Sequence, residues 1–184
     1  LLAALGDQMG LFSIFKKKKP KADSEFQKYA EEMIAEFQAN DFLGKAAEAG
    51  HKAKAAVQAK QHDTAWGFYH EQKNFYMQHA NRCGFTARQA LALDSQVHED
   101  LANILRIEGK SYDALIHILY WVLANNDKPI KRHQQKLSAY FGRCKFKNTS
   151  LNEVISFAST HATEHTFFLA QSKVAEWKAK ENGT

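Results

Sequence analysis

The sequence predicts an all-α protein built from antiparallel helical hairpins in an α-solenoid or bundle arrangement, with seven or eight helices. Three observations carry the prediction. Apolar residues recur at helical spacing almost without a break from Ser24 onward. Three S/T-x-x-E/Q capping boxes occur, at Ser24/Gln27, Thr86/Gln89 and Ser150/Glu153. Only two prolines and nine glycines punctuate 184 residues, too few for a protein of many strands and tight turns.

Taken in order, Phe26, Tyr29, Ala30, Met33, Ile34 and Phe37 share one face of a first helix opened by Ser24. Residues 42–60 are rich in alanine, which favours helix and lets a neighbouring backbone approach closely. His62-Asp63 interrupts this run, and Asp63 is a good N-cap for a helix carrying Trp66, Tyr69, Phe75 and Tyr76 to about Ala80. A turn at Gly84 precedes a helix from Ala87 to Glu108, with Gly109 at its C′ position. The stretch from Tyr112 to Asn125 is apolar nearly all round and is therefore expected at the centre of the fold. Pro129 suits the first turn of a helix ending at Phe141, and Ser150 opens one long C-terminal helix or two broken near 160–166.

Length and composition fit one globular domain with a real core: 45% of residues are apolar and 12% aromatic. Residues 1–23 read as a flexible basic leader and 24–184 as a single helical domain. Within the leader, MGLFSIFKKKKPK from Met9 looks like a natural start, so Leu1–Gln8 are set outside the fold. Two unpaired cysteines, no export signal and no apolar stretch of about 20 residues imply a reduced, cytoplasmic protein with free thiols. The net charge of +5 is local: +4 over residues 1–22, −5 over 23–127, +7 over 128–152 and −1 over 153–184.

Two stretches repeat a pattern 49 residues apart, AAVQAKQHDTAWGFY (55–69) and ILRIEGKSYDALIHI (104–118). Ala65 aligns with Ala114, each opening the second helix of a pair. LANILRIEGKSYDALIHILYWVLANND resembles a tetratricopeptide unit: Gly109 stands at the inter-helix turn, Ala114 at the helix crossing, Leu101 and Leu105 in the first helix, Ile118 in the second. His98 occupies the place of that family's early aromatic, Lys60 replaces the turn glycine in the earlier unit, and the 49-residue spacing exceeds the family's roughly 34. The resemblance implies an irregular helical-repeat scaffold; an ordinary helical bundle is the alternative. It further implies an adaptor that holds a protein or peptide in a groove lined by the first helices of the pairs. Lys54, Asn103 and Arg106 are then the ligand-binding residues: the cations meet carboxylates, and the amide meets both a donor and an acceptor of an extended backbone.

HATEH (161–165) matches H-x-x-E-H, a zinc signature of one peptidase group. A catalytic zinc needs a third protein ligand. Glu176, eleven residues beyond His165, lies about 16 Å along a continuous helix and cannot reach the same ion. No nucleophile elbow, P-loop or dinucleotide glycine pattern occurs, and neither Cys83 nor Cys144 has an adjacent histidine in sequence. The expectation is therefore a protein without catalytic residues, metal or cofactor. Two basic features remain. Residues 9–21 offer apolar residues followed by lysines, a pattern for peripheral membrane contact, a nuclear address or a plain basic leader. Lys128, Lys131, Arg132, Lys136, Arg143, Lys145 and Lys147, interleaved with Tyr140, Phe141 and Phe146, form a basic patch that suits single-stranded nucleic acid. That patch supports the alternative functional class, a nucleic-acid-associated helical protein.

Overall fold

In the computed structural model, residues 21–127, 129–160, 166–181 and 183 are described. The helices in chain order are α1 (Lys21–Asn40), α2 (Phe42–Gln58), α3 (His62–Arg82), α4 (Ala87–Ser95), α5 (His98–Ile107), α6 (Ser111–Ala124), α7 (Lys131–Cys144), α8 (Leu151–Thr160) and α9 (Phe167–Glu181). The described residues contain no strand, so the all-α expectation holds. The chain divides into two compact units between Asn40 and Asp41. The first contributes α1 to the description; the second carries α2 to α9.

Among the described residues of the first unit, α1 is a single helix, and nothing else in that unit covers its stripe. It begins at Lys21, so Ser24 lies inside its first turn and is not its N-cap. Phe26 and Phe37 remain about three-quarters exposed, and Tyr29, Met33 and Ile34 roughly half exposed or more.

In the second unit, Asp41 caps α2, its carboxylate accepting from the Gly44 amide at 2.8 Å. The alanine face then turns inward: Ala46, Ala49, Ala53 and Ala56 are buried, and α2 packs along α3. Asp63 falls in the first turn of α3, where its charge complements the helix dipole, and Gln61 holds the cap position without a side-chain bond. Thr86 and Gln89 form the expected capping box.

The expected helix 87–108 is two helices. Gln96 and Val97 separate α4 from α5, and the bend buries Ser95, Val97 and His98 together. Helix α6 is the centre of the unit: Leu115, Ile118, Leu119 and Leu123 are fully buried, and α5, α7 and α9 pack around it. Pro129 precedes α7 rather than opening it, and α7 continues through Gly142 to Cys144, where Lys145 ends it in the left-handed region.

The 49-residue echo persists in the backbone. At the α2–α3 turn the Gln61 amide donates to Ala56 O and the Ala65 amide to Gln61 O; at the α5–α6 turn Lys110 donates to Leu105 O and Ala114 to Lys110 O. Each turn contains one residue of positive φ, Lys60 at 59° and Gly109 at 76°. Ala65 and Ala114 are both completely buried.

Candidate functional site

Lys54 projects from the last turns of α2, and Asn103 and Arg106 from α5. Two hollows bring these residues onto one surface of the second unit. The first, of 260 Å³, is lined by Lys54, Val57, Asp100, Asn103, Ile104 and Ile107, with Tyr69 of α3 beneath. The second, of 330 Å³, lies between α5 and α7 and is lined by Asn103, Arg106, Arg132, Lys136, Tyr140 and Arg143 among others. Asn103 lines both, so the hollows adjoin at that residue, and the pair is termed the groove across α2, α5 and α7. The hollow at α2 is largely apolar and the one at α7 is cationic.

Local chemistry sets what each group offers. Tyr140 Oη donates to Asn103 Oδ1 at 2.6 Å, so the amide oxygen is engaged and Nδ2 remains as the donor. Burial pushes the Tyr140 hydroxyl's pKa up, against the opposing influence of Arg106 and Arg143. Glu99, nearly buried, receives Arg132 at 2.6 Å and Lys136 at 3.0 Å, which anchors those two cations at the groove wall. Arg143 donates to Ala139 O at 2.8 Å and stacks its guanidinium over the Tyr140 ring. Burial raises the Asp100 carboxyl above its usual range, against the opposing influence of Lys54.

The basic patch is divided by the fold. Arg132, Lys136 and Arg143 share the groove face of α7, whereas Lys131 lines a separate hollow of 420 Å³ against α8. Lys145 caps α7, and the Lys147 amide donates to Glu181 at 2.6 Å. Lys128 lies outside the described residues. The interleaved aromatics face inward: Tyr140 is buried, and Phe141 and Phe146 stack on each other against the core.

Sequence reasoning missed a polar cluster inside the second unit. Lys73 of α3, Asp94 of α4, His98 of α5 and Tyr120 of α6 converge: Lys73 Nζ is 2.8 Å from His98 Nε2 and 3.3 Å from Asp94, and Tyr120 Oη donates to Asp94 at 2.9 Å. Lys73 Nζ and Asp94 both approach His98 Nε2, at 2.8 and 3.6 Å, while Nδ1 has no partner. His117 Nδ1 is likewise unpartnered. The two imidazoles lie 4.7 Å apart, and Phe167 of α9 packs on both. Burial lowers both histidine pKa values, His117 to about 3. For Asp94 burial acts upward, but His98, Lys73 and Tyr120 together hold the carboxyl below its usual range. His98 is thus a neutral ring inside the second unit. The signal was the histidine itself in that apolar register, but its partners come from helices distant in sequence.

The reading of His161 and His165 and that of residues 9–20 lie outside the described residues. Among the described residues, no group of three or more His, Cys, Asp or Glu could hold a metal ion, and no helix is long and apolar enough to cross a membrane. Both cysteines are free thiols. Cys83 does have a histidine beside it: His79, one turn earlier on α3, places Nε2 3.6 Å from Sγ. With these groups and distances in view, no family model, no curated protein and no solved structure matches the chain.

Proposed function

We propose that the protein is a helical-repeat-like adaptor that binds a segment of a protein partner in the groove across α2, α5 and α7. The single observation that supports this reading is that Asn103 is common to an apolar hollow and a cationic one. Such a groove suits a segment that combines apolar and acidic side chains. Val57 and Ile107 receive the former, Arg106 and Arg143 meet the carboxylates, and Asn103 Nδ2 donates to a backbone carbonyl. A cytoplasmic setting agrees with the two free thiols.

The test is fluorescence anisotropy with a labelled peptide that alternates Glu with Leu and Phe, run beside a labelled single-stranded oligonucleotide. The peptide should bind, and Arg106→Ala or Asn103→Ala should weaken it roughly tenfold, about 1.4 kcal/mol. Part of the affinity should survive a rise in salt from about 50 to 500 mM, since apolar contacts are not screened. No peptide binding, with oligonucleotide binding that collapses steeply with salt, would replace the adaptor by the nucleic-acid reading.

A further inference from the structure

We infer that the occupant of this groove is α1 of a second copy of the chain. The inference rests on the groove reading above and adds the partner's identity. Two features of the chain are complementary. On α1, Phe26, Tyr29, Met33, Ile34 and Phe37 form an apolar stripe that the helix by itself leaves exposed. Five large apolar side chains along one face exceed the singly scattered exposure normal for a protein surface. Glu25, Glu32 and Glu36 recur at i, i+7 and i+11, so they run as an acidic row along one flank of that stripe. The helix carries two lysines against five acids, a net −3.

The groove has the opposite arrangement. Val57 and Ile107 make its apolar part, with Ile107 half exposed and Ile104 buried beneath. Arg106 and Arg143 stand beside it with Arg132 and Lys136, and Glu99 and Asp100 offset only part of that charge. An amphipathic helix laid in an apolar groove is a recurrent mode of recognition, and the charged border fixes its orientation. A lone helix of 20 residues gains most of its stability from covering its apolar face. The chain supplies both halves of this contact, so two copies can exchange α1 reciprocally and close as a dimer.

The experiment uses the full chain. Light scattering after size exclusion, up to roughly 100 µM, should show a concentration-dependent dimer. Two charge-reversed variants are then compared: Glu25→Lys/Glu32→Lys/Glu36→Lys on α1, and Arg106→Glu/Arg143→Glu in the groove. All five side chains are exposed, so both variants should keep the wild-type circular dichroism. Each alone should be monomeric. Their equimolar mixture should recover the dimer mass, because reversed α1 fits neither its own kind nor the wild-type groove but does fit the reversed one. A monomeric wild type, a dimer that survives either reversal, or a mixture that stays monomeric overturns the inference. The acidic peptide of the preceding assay is titrated into the α1 variant in parallel. Peptide binding without wild-type dimerisation defeats the second-copy inference alone; no peptide binding defeats the groove reading as well.

Discussion

Lys60 occupies a backbone position that asks for glycine. Its φ of 59° matches the 76° of Gly109 at the equivalent turn, and a β-carbon in the left-handed region costs about 1 kcal/mol. Lys60→Gly should therefore stabilise the protein by several tenths to about 1 kcal/mol, after the added entropy of the unfolded chain is counted. Urea titration checks this, and Gly109→Ala should move the midpoint the other way. A second prediction concerns the buried imidazoles. Above pH 6.5 His117 is neutral whether folded or unfolded, so it contributes nothing to pH dependence. As pH falls from 6.5 toward about 3, the unfolded chain binds a proton that burial denies the folded one, and stability is lost. His98 acts in the same direction for the same reason. The urea midpoint should thus drop between pH 7 and 4. His117→Leu should flatten that drop, and it also removes a buried nitrogen with no partner.

Helix crossings depend on small residues at two matched places. Ala65 and Ala114 are completely buried at the start of α3 and α6, each one turn beyond the hydrogen-bonded turn that it shares with its predecessor. Ala114→Leu should overpack the α5–α6 junction and cost about 1–3 kcal/mol, and Ala65→Leu should do the same at α2–α3. Thermal melts measure both, and an unchanged Tm for Ala114→Leu would remove it from the crossing. Leu119 in α6 is fully buried among neighbours from several helices. Leu119→Ala should cost about 2–5 kcal/mol, because the surrounding helices cannot all close on the void.

Across the second unit, the buried apolar side chains of the described residues form two clusters, one around α6 and one between α2, α3 and α5. Trp66 packs against both, so disruption of either should be felt by the other. Trp66, Trp121 and Trp177 all lie in this unit. Their fluorescence should report one cooperative transition in urea, and Leu119→Ala should shift it without splitting it. Two resolved fluorescence transitions would show that the clusters melt separately. Charge is distributed on the same scale: α1 is acidic and the α7 end of the groove basic, so the sequence-wide net charge describes neither surface.

Local signals carried the elements. Thr86 and Gln89 cap α4 because both partners of a capping box lie within three residues, and the continuous apolar register of α6 admits only a central place. The α2–α3 and α5–α6 turns were legible for the same reason: their hydrogen bonds span five residues or fewer. Signals failed where a longer-range contact competed. The spacing of α1 reads as a buried face, but burial needs a covering layer that spacing does not specify. The helix expected over 87–108 breaks at Gln96–Val97, where burial of Val97 and His98 outweighs an unbroken run. Lys54, Asn103 and Arg106 could be named from the repeat resemblance, but not that Tyr140, 37 residues from Asn103, would donate to its amide oxygen. Nor could the sequence join Lys73, Asp94, His98 and Tyr120, which come from four helices. By itself the sequence determined that the chain is helical, where most helices run, and that two hairpins share one design, since these follow from interactions between near neighbours along the chain. Only the tertiary structure decided which cations face one groove, which are held by Glu99, and which histidines are kept neutral inside. Charge pairing and desolvation depend on distances between helices, and packing of the whole unit sets those distances.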